Sequence, residues 1–346
     1  MIKRVLFFWV YLFFCLACFL LVFEGIYRYQ LVDFYRPELR ANNRPVDLGE
    51  ARRRTLLAMG DSFSVIPPND NWVNFLRLHL PSHRVINAAV PGTGIFESLY
   101  MAPGRFRQFQ PQVFIYQVYV GNDLQDIRRP LNWRTMTLPR YVYGFMCSYL
   151  GLRSLTFANY RLAQLLSSPG PEGQQRPDPP FSPATYPKSV TIYTQAEPHT
   201  LEDTVLARGE RGRDLATLID GIKKLCSYAG PQCRQYVVVI PDAGQVSDFY
   251  LEHLRQLGAR VSDPQGLQRD DYPFFIRLQE GLAAAGVQVL NPLPLFQEHE
   301  RQGQRLYYSN DTHLKPGGQS LLGEFILKRL LADGLAPKAG ADGGRQ

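Results

Sequence analysis

A serine hydroxyl becomes a nucleophile when a histidine takes its proton, and the histidine works best when a carboxylate fixes its tautomer and stabilises the imidazolium. This chain offers that set: Ser62 within Gly60-Asp61-Ser62, and Asp311 and His313 within Ser309-Asn310-Asp311-Thr312-His313-Leu314-Lys315-Pro316-Gly317. In an extended segment residues two apart point to the same side, so Asp311 and His313 can meet there; on a helix they could not. Pro316 and Gly317 favour a loop at this point. The five other histidines (His79, His83, His199, His253 and His299) have no neighbouring motif and read as surface or packing residues.

The elements needed to bring positions 62 and 313 together are legible. Thr55 to Met59 is mostly apolar without alternation, as in a strand buried on both faces of a parallel sheet, and it stops at Gly60-Asp61-Ser62. In open α/β sheets ligands bind outside the carboxyl ends of strands, which is where Ser62 falls. A helix near Trp72 to Leu80 precedes a second strand, His83 to Ala89, which leads into Asn87-Ala88-Ala89-Val90-Pro91-Gly92-Thr93-Gly94. Gly92 and Gly94 let backbone approach a ligand closely. A third strand, Gln112 to Val120, ends in Gly121-Asn122-Asp123. Three strands thus each end in a short polar motif containing glycine. Further on, the pattern predicts a helix at Asp214 to Tyr228, a strand at Gln235 to Ile240, a helix at Pro273 to Ala285 and a strand at Val287 to Asn291. Pro316 opens a final amphipathic helix, with Leu321, Leu322, Phe325, Ile326 and Leu330 on one face and Gly334 as its stop. The fold class is α/β: a flavodoxin-like, mostly parallel sheet of about five strands between two helical layers.

With these four motifs in order, the sequence resembles the SGNH (GDSL-type) hydrolase family from about Thr55 to Leu331, outside one insertion. The resemblance implies Ser62 as nucleophile, His313 as base and Asp311 as its partner. It implies an oxyanion hole formed by the backbone N–H groups of Ser62 and Gly92 and the side chain of Asn122, with Asp61 and Asp123 in support. Two departures stand out. The family's usual Gly-x-Asn-Asp is here Gly121-Asn122-Asp123, and its usual Asp-x-x-His has Asn310 where the acid is expected, leaving Asp311, Asn310 or water beside His313. The combination is most similar to membrane-anchored bacterial members.

Composition bounds the rest. The 346 residues, 45% hydrophobic, suffice for one large domain or a domain with an insertion. Of the 38 cations 31 are arginine, which suits anionic surfaces, and no basic run with interleaved aromatics points to nucleic acid. Val5 to Phe23 has neither charge nor proline, long enough to span a bilayer; residues 1–28 read as an uncleaved signal anchor, with a cleaved signal or lipoprotein signal as the alternative. Residues 29–53 read as a stalk, 54–333 as the hydrolase-like domain, 128–200 as an insertion disordered over about 167–187, and 334–346 as a mobile tail. Cys226 and Cys233 are either a disulfide or two thiols. No spacing calls for a metal, and the proposed chemistry needs no cofactor. The expectation is a serine esterase on the periplasmic side of the inner membrane, acting on an acylated envelope glycan or lipid. Acyl transfer to a polysaccharide, a lipase or lysophospholipase, and a non-catalytic assembly scaffold are the alternatives.

Overall fold

The structure is a computed structural model, and it describes residues 2–44, 46, 48, 54–166 and 177–335. Five strands form one sheet in the order β2-β1-β3-β4-β5, every neighbouring pair parallel. This is the flavodoxin-like order expected from the sequence, and it places a topological switch point between β1 and β3, where two crossovers leave in opposite directions and open a crevice. The polar motifs after β1 and β3 flank that crevice.

The chain begins with α1 (Ile2–Arg28) and α2 (Arg36–Asn42), followed by β1 (Arg54–Met59), α3 (Trp72–His79), β2 (His83–Asn87), α4 (Ile95–Phe109) and β3 (Val113–Tyr119). Six helices come next: α5 (Asp123–Ile127), α6 (Leu138–Ser148), α7 (Ser154–Leu166), α8 (Lys188–Ala196), α9 (Thr200–Val205) and α10 (Gly209–Cys226). After β4 (Arg234–Ile240) come α11 (Ala243–Val246), α12 (Asp248–Gln256), α13 (Pro264–Leu267), α14 (Pro273–Ala283), β5 (Gln288–Leu290), α15 (Leu293–Arg301) and α16 (Pro316–Ala332). The central strands are buried on both faces because α3 and α16 pack together on one side and α4 and α10 on the other. Leu322, Ile326 and Leu330 bury one face of α16, as the sequence spacing requires.

Three boundaries differ from expectation. Where a stalk was expected over 29–53, the described part is packed: Tyr35 and Leu39 are buried with Tyr27, and Asn43 donates from Nδ2 to the Asn87 carbonyl at 2.8 Å. Polar composition there reflects hydrogen bonding to the domain, not solvation. Residues 177–187, expected to be disordered, lie ordered against Ser309 to Lys315, while 167–176 fall outside the described residues. Of the expected tail, Leu335 is buried and 336–346 fall outside the described residues. Cys226 and Cys233 are free thiols.

Candidate active site

Ser62 sits in a single 3₁₀ turn, Ser62–Ser64, immediately after β1. Asp61 caps that turn, its Oδ1 accepting the Phe63 N–H at 2.9 Å. The turn is clamped from below by Gln117 of β3, whose Oε1 accepts the Asp61 N–H at 3.0 Å and the Ser64 hydroxyl at 3.1 Å. Gly60 is required for this contact, since a Cβ there would come within 2.5 Å of the Gln117 Oε1. From the other side α16 reaches over: Gln319 donates to the carbonyls of Phe63 at 2.9 Å and Ile66 at 2.8 Å, and accepts the Trp72 N–H at 3.0 Å.

His313 arrives from a tight loop closed at its base. Tyr307 pairs with Leu314 in an antiparallel bridge, and the Tyr308 N–H donates to the His313 carbonyl at 3.1 Å. Within the loop the His313 Nδ1 lies 2.7 Å from Asp311 Oδ1, and Nε2 lies 2.8 Å from Ser62 Oγ. Both are of hydrogen-bond length, so residues 251 positions apart form one chain, carboxylate to imidazole to hydroxyl. The imidazole also lies against Phe63, ring centroids 5.0 Å apart, which fixes its plane. Neither His79 nor His253 reaches this place: His79 stacks on Phe75 and His253 on Phe181.

Asn310, the alternative partner of His313, is occupied elsewhere. Its Oδ1 accepts the Ser182 N–H at 2.7 Å and the Thr185 hydroxyl at 2.9 Å, and its Nδ2 donates to the carbonyls of Pro179 and Pro180. Asp178 completes the seam, accepting the Ser309 N–H at 2.7 Å and pairing with the Lys315 ammonium at 2.5 Å. The insertion is therefore part of the wall that holds the His313 loop. Asp178, Gln117 and Gln319 were not singled out from sequence, since each is a polar residue with no local signature.

The other motifs converge on the same edge. Asn122 donates from Nδ2 to Asp61 Oδ2 at 3.2 Å, which leaves its second amide proton unassigned, and Asp123 Oδ2 accepts the Tyr119 N–H at 3.1 Å. The backbone N–H groups of Ser62 and Gly92 have no acceptor among the described residues. Gly92 has φ +70°, a left-handed conformation that favours glycine. Burial raises the carboxyls of Asp61 and Asp123 above the usual range, and burial likewise pushes Asp126 up to about 7. A cavity of about 370 Å³ opens at this edge, running from Gly92, Asn122 and Thr312 beneath the insertion to Tyr143, Asn159 and Tyr193. Among the described residues no cluster of histidine, cysteine or acidic side chains could hold a metal ion.

No protein-family model and no curated protein matches the chain. Solved structures do. It is similar to TesA, with 14% identity and a TM-score of 0.39 over 80% of this chain and 98% of that one. A lipase/acylhydrolase from Enterococcus faecalis gives 12% identity and a TM-score of 0.40 over 81% and 96%. A catalytic mutant of Axe2, an acetylxylan esterase from Geobacillus stearothermophilus, gives 11% and 0.40 over 82% and 96%. The roles proposed below for Ser62, His313 and Asp311 rest on the distances between them.

Proposed function

We propose that this protein is a serine ester hydrolase in which Ser62 is the nucleophile, His313 the general base and acid, and Asp311 the residue that orients His313. The observation that carries the reading is the continuous hydrogen-bonded chain from Asp311 through His313 to Ser62, with the neighbouring Gly92, Asn122 and Thr312 lining a cavity. With the Nδ1 proton directed at Asp311, Nε2 is free to accept the Ser62 hydroxyl proton as Oγ attacks the acyl carbon. The carbonyl oxygen then becomes an oxyanion, which the N–H groups of Ser62 and Gly92 and the remaining amide proton of Asn122 would stabilise. One such donor contributes about 3 kcal/mol to the transition state. Collapse breaks the ester C–O bond, and His313 returns its proton to the departing alcohol. Water, deprotonated by the same imidazole, then attacks the acyl-enzyme, releasing the acid and restoring Ser62.

Short acyl groups on an envelope or extracellular glycan are the substrate class favoured here. The cavity wall mixes Gln125, Asp126, Arg129 and Asn159 with the apolar Val190, Leu201, Leu254 and Ala259, which fits a short acyl group carried on a hydroxyl-bearing partner. α1 is long and apolar enough to cross a membrane, and we read it as an anchor that leaves the domain on the periplasmic side. A fluorophosphonate should label the purified full chain at Ser62, and Ser62→Ala should lose both the label and turnover of acetyl esters while melting at the parent temperature. Near-normal turnover by Ser62→Ala would remove the assignment. Labelling with no turnover on any ester would point instead to acyl transfer onto another hydroxyl.

A further inference from the structure

Two helices of the insertion present apolar faces that no described residue covers. On α6, Leu138, Val142, Phe145 and Tyr149 follow the spacing of a single helical stripe, and all are exposed, Leu138 at 74%. Phe145 and Tyr149 stack on each other, ring centroids 5.6 Å apart. On the adjoining α7, Leu162, Leu165 and Leu166 are exposed, Leu165 at 83%. Isolated apolar side chains on a surface are ordinary; two neighbouring helices that both turn such residues outward mark an interaction surface.

What covers that surface follows from its place and charge. The start of α7 is tied to the end of α1: Glu24 accepts the N–H groups of Arg153 at 3.2 Å and Ser154 at 2.8 Å, and Arg28 donates to the Gly151 carbonyl. Phe157 of α7 packs against Tyr27 and Phe34. Tyr149 and Leu150, both exposed, therefore lie beside the point where the apolar helix ends. The sequence there is basic as well: from Ile127 to Pro171 it has six arginines, no lysine and no acidic residue. Arg128, Arg129 and Arg161 pair with carboxylates outside that stretch and Arg153 is buried, while Arg134 and Arg140 lie over the rings of Trp133 and Tyr193 with no carboxylate partner among the described residues. Trp133, in the loop that leads into α6, is 72% exposed with the Arg134 guanidinium 5.3 Å from its ring. Helices with leucine and aromatic side chains on one face and arginine around it settle at the boundary between headgroups and acyl chains, most strongly where the lipids are anionic.

We propose that the exposed face of α6 and α7 docks into the anionic headgroup layer of the leaflet from which α1 emerges. This rests on reading α1 as a membrane span, and it deepens the proposed function. The same helices supply Tyr143, Thr156 and Asn159 to the cavity wall, so docking would set the cavity near the lipid surface. The substrate would then be an acyl ester on a molecule held at that surface, not one diffusing freely.

The test uses the full chain in vesicles of phosphatidylethanolamine and phosphatidylglycerol with brominated acyl chains, which quench tryptophan by contact. Trp9→Phe and Trp133→Phe leave the buried Trp72 as background; Phe145→Trp, Leu165→Trp and, as a control, the exposed and distant Leu78→Trp are added one at a time. A parent retaining only Trp9 and Trp72 reports on α1. Quenching at positions 145 and 165 should exceed that at 78 by about twofold or more and weaken when phosphatidylcholine replaces the anionic lipid. Equal quenching at 145, 165 and 78 with Trp9 strongly quenched would overturn the docking and leave the anchor standing. Absence of quenching at Trp9 as well would remove both. Quenching indifferent to lipid charge would overturn the anionic preference.

Discussion

Asp311 and Asn310 stand side by side in sequence and do different work in space. Asp311 lies 2.7 Å from the His313 Nδ1, whereas Asn310 holds the insertion through both ends of its amide. Asp311→Asn should therefore lower kcat by up to about 10⁴-fold with little change in Tm, because the wrong imidazole tautomer is favoured. Asn310→Ala should chiefly lower Tm and expose residues 177–187 to protease. Steady-state kinetics beside calorimetry separate the two, and the reverse ranking would make Asn310 the partner of His313. A second expectation concerns Asp126, whose carboxyl burial pushes up to about 7. The unfolded chain titrates near 3.9, so the folded state holds this proton more tightly. The stabilisation is complete below about pH 4, and is lost as pH rises through about 7. Asp126→Asn should accordingly raise Tm more at pH 8 than at pH 4. The ceiling is about 4 kcal/mol, lowered because the side chain is 21% exposed. A Tm difference that stays flat over that range would show that burial does not perturb the group. The meeting of Ser62 and His313 could be expected from sequence, because each lies in a motif of the kind that the proposed nucleophile and base need. Gln117 and Asp178 could not, because their partners are set by strand pairing and by a long insertion.

At the scale of elements, the site is where β1 and β3 end and α16 begins, and Gln319 joins the first to the last. Its three bonds tie the first turn of α16 to the Phe63 and Ile66 carbonyls and to the Trp72 N–H. Gln319→Ala would leave those buried backbone groups short of partners, at about 1–3 kcal/mol each where nothing replaces the bond. A fall in Tm should appear together with a fall in kcat larger than any rise in KM, because the Ser62 turn is displaced while the cavity is not. Gln319→Glu, which keeps the acceptor and loses the donors, should fall between. Unchanged melting in Gln319→Ala would mean that the turn is held by Gln117 alone. The central strands were legible because strands buried on both faces are mostly apolar without alternation, as in Val113 to Tyr119, where Gln117 is the one polar residue. α4 was not, since Pro103 stands inside it and its mixed polarity lacks a clean stripe. The order of residues 177–187 was hidden for a different reason. Proline-rich composition predicts little burial of apolar area, yet this segment is held by polar bonds to Ser309, Asn310 and Lys315.

For the whole molecule, the junction between α1 and the domain decides how far the site can stray from the bilayer that α1 is proposed to span. A flexible stalk would let it sweep a wide volume, but Tyr27 is buried, its hydroxyl is bonded to that of Tyr35 at 2.7 Å, and Glu24 holds the start of α7. The cavity is thereby fixed at a set height above the end of α1. Such tethering raises the effective concentration of a substrate confined to the same surface and does little for one in bulk solution. A glycan still attached near the membrane meets that condition, and the arginine-rich surface favours an anionic one. We therefore expect the protein in the membrane fraction, with its domain digested by protease added outside intact spheroplasts, and a higher kcat/KM for acetyl than for long-chain nitrophenyl esters. Protection from external protease would reverse the topology. A preference for long chains would replace the glycan with a lipid ester, a substrate that the exposed leucines of α7 would place equally close.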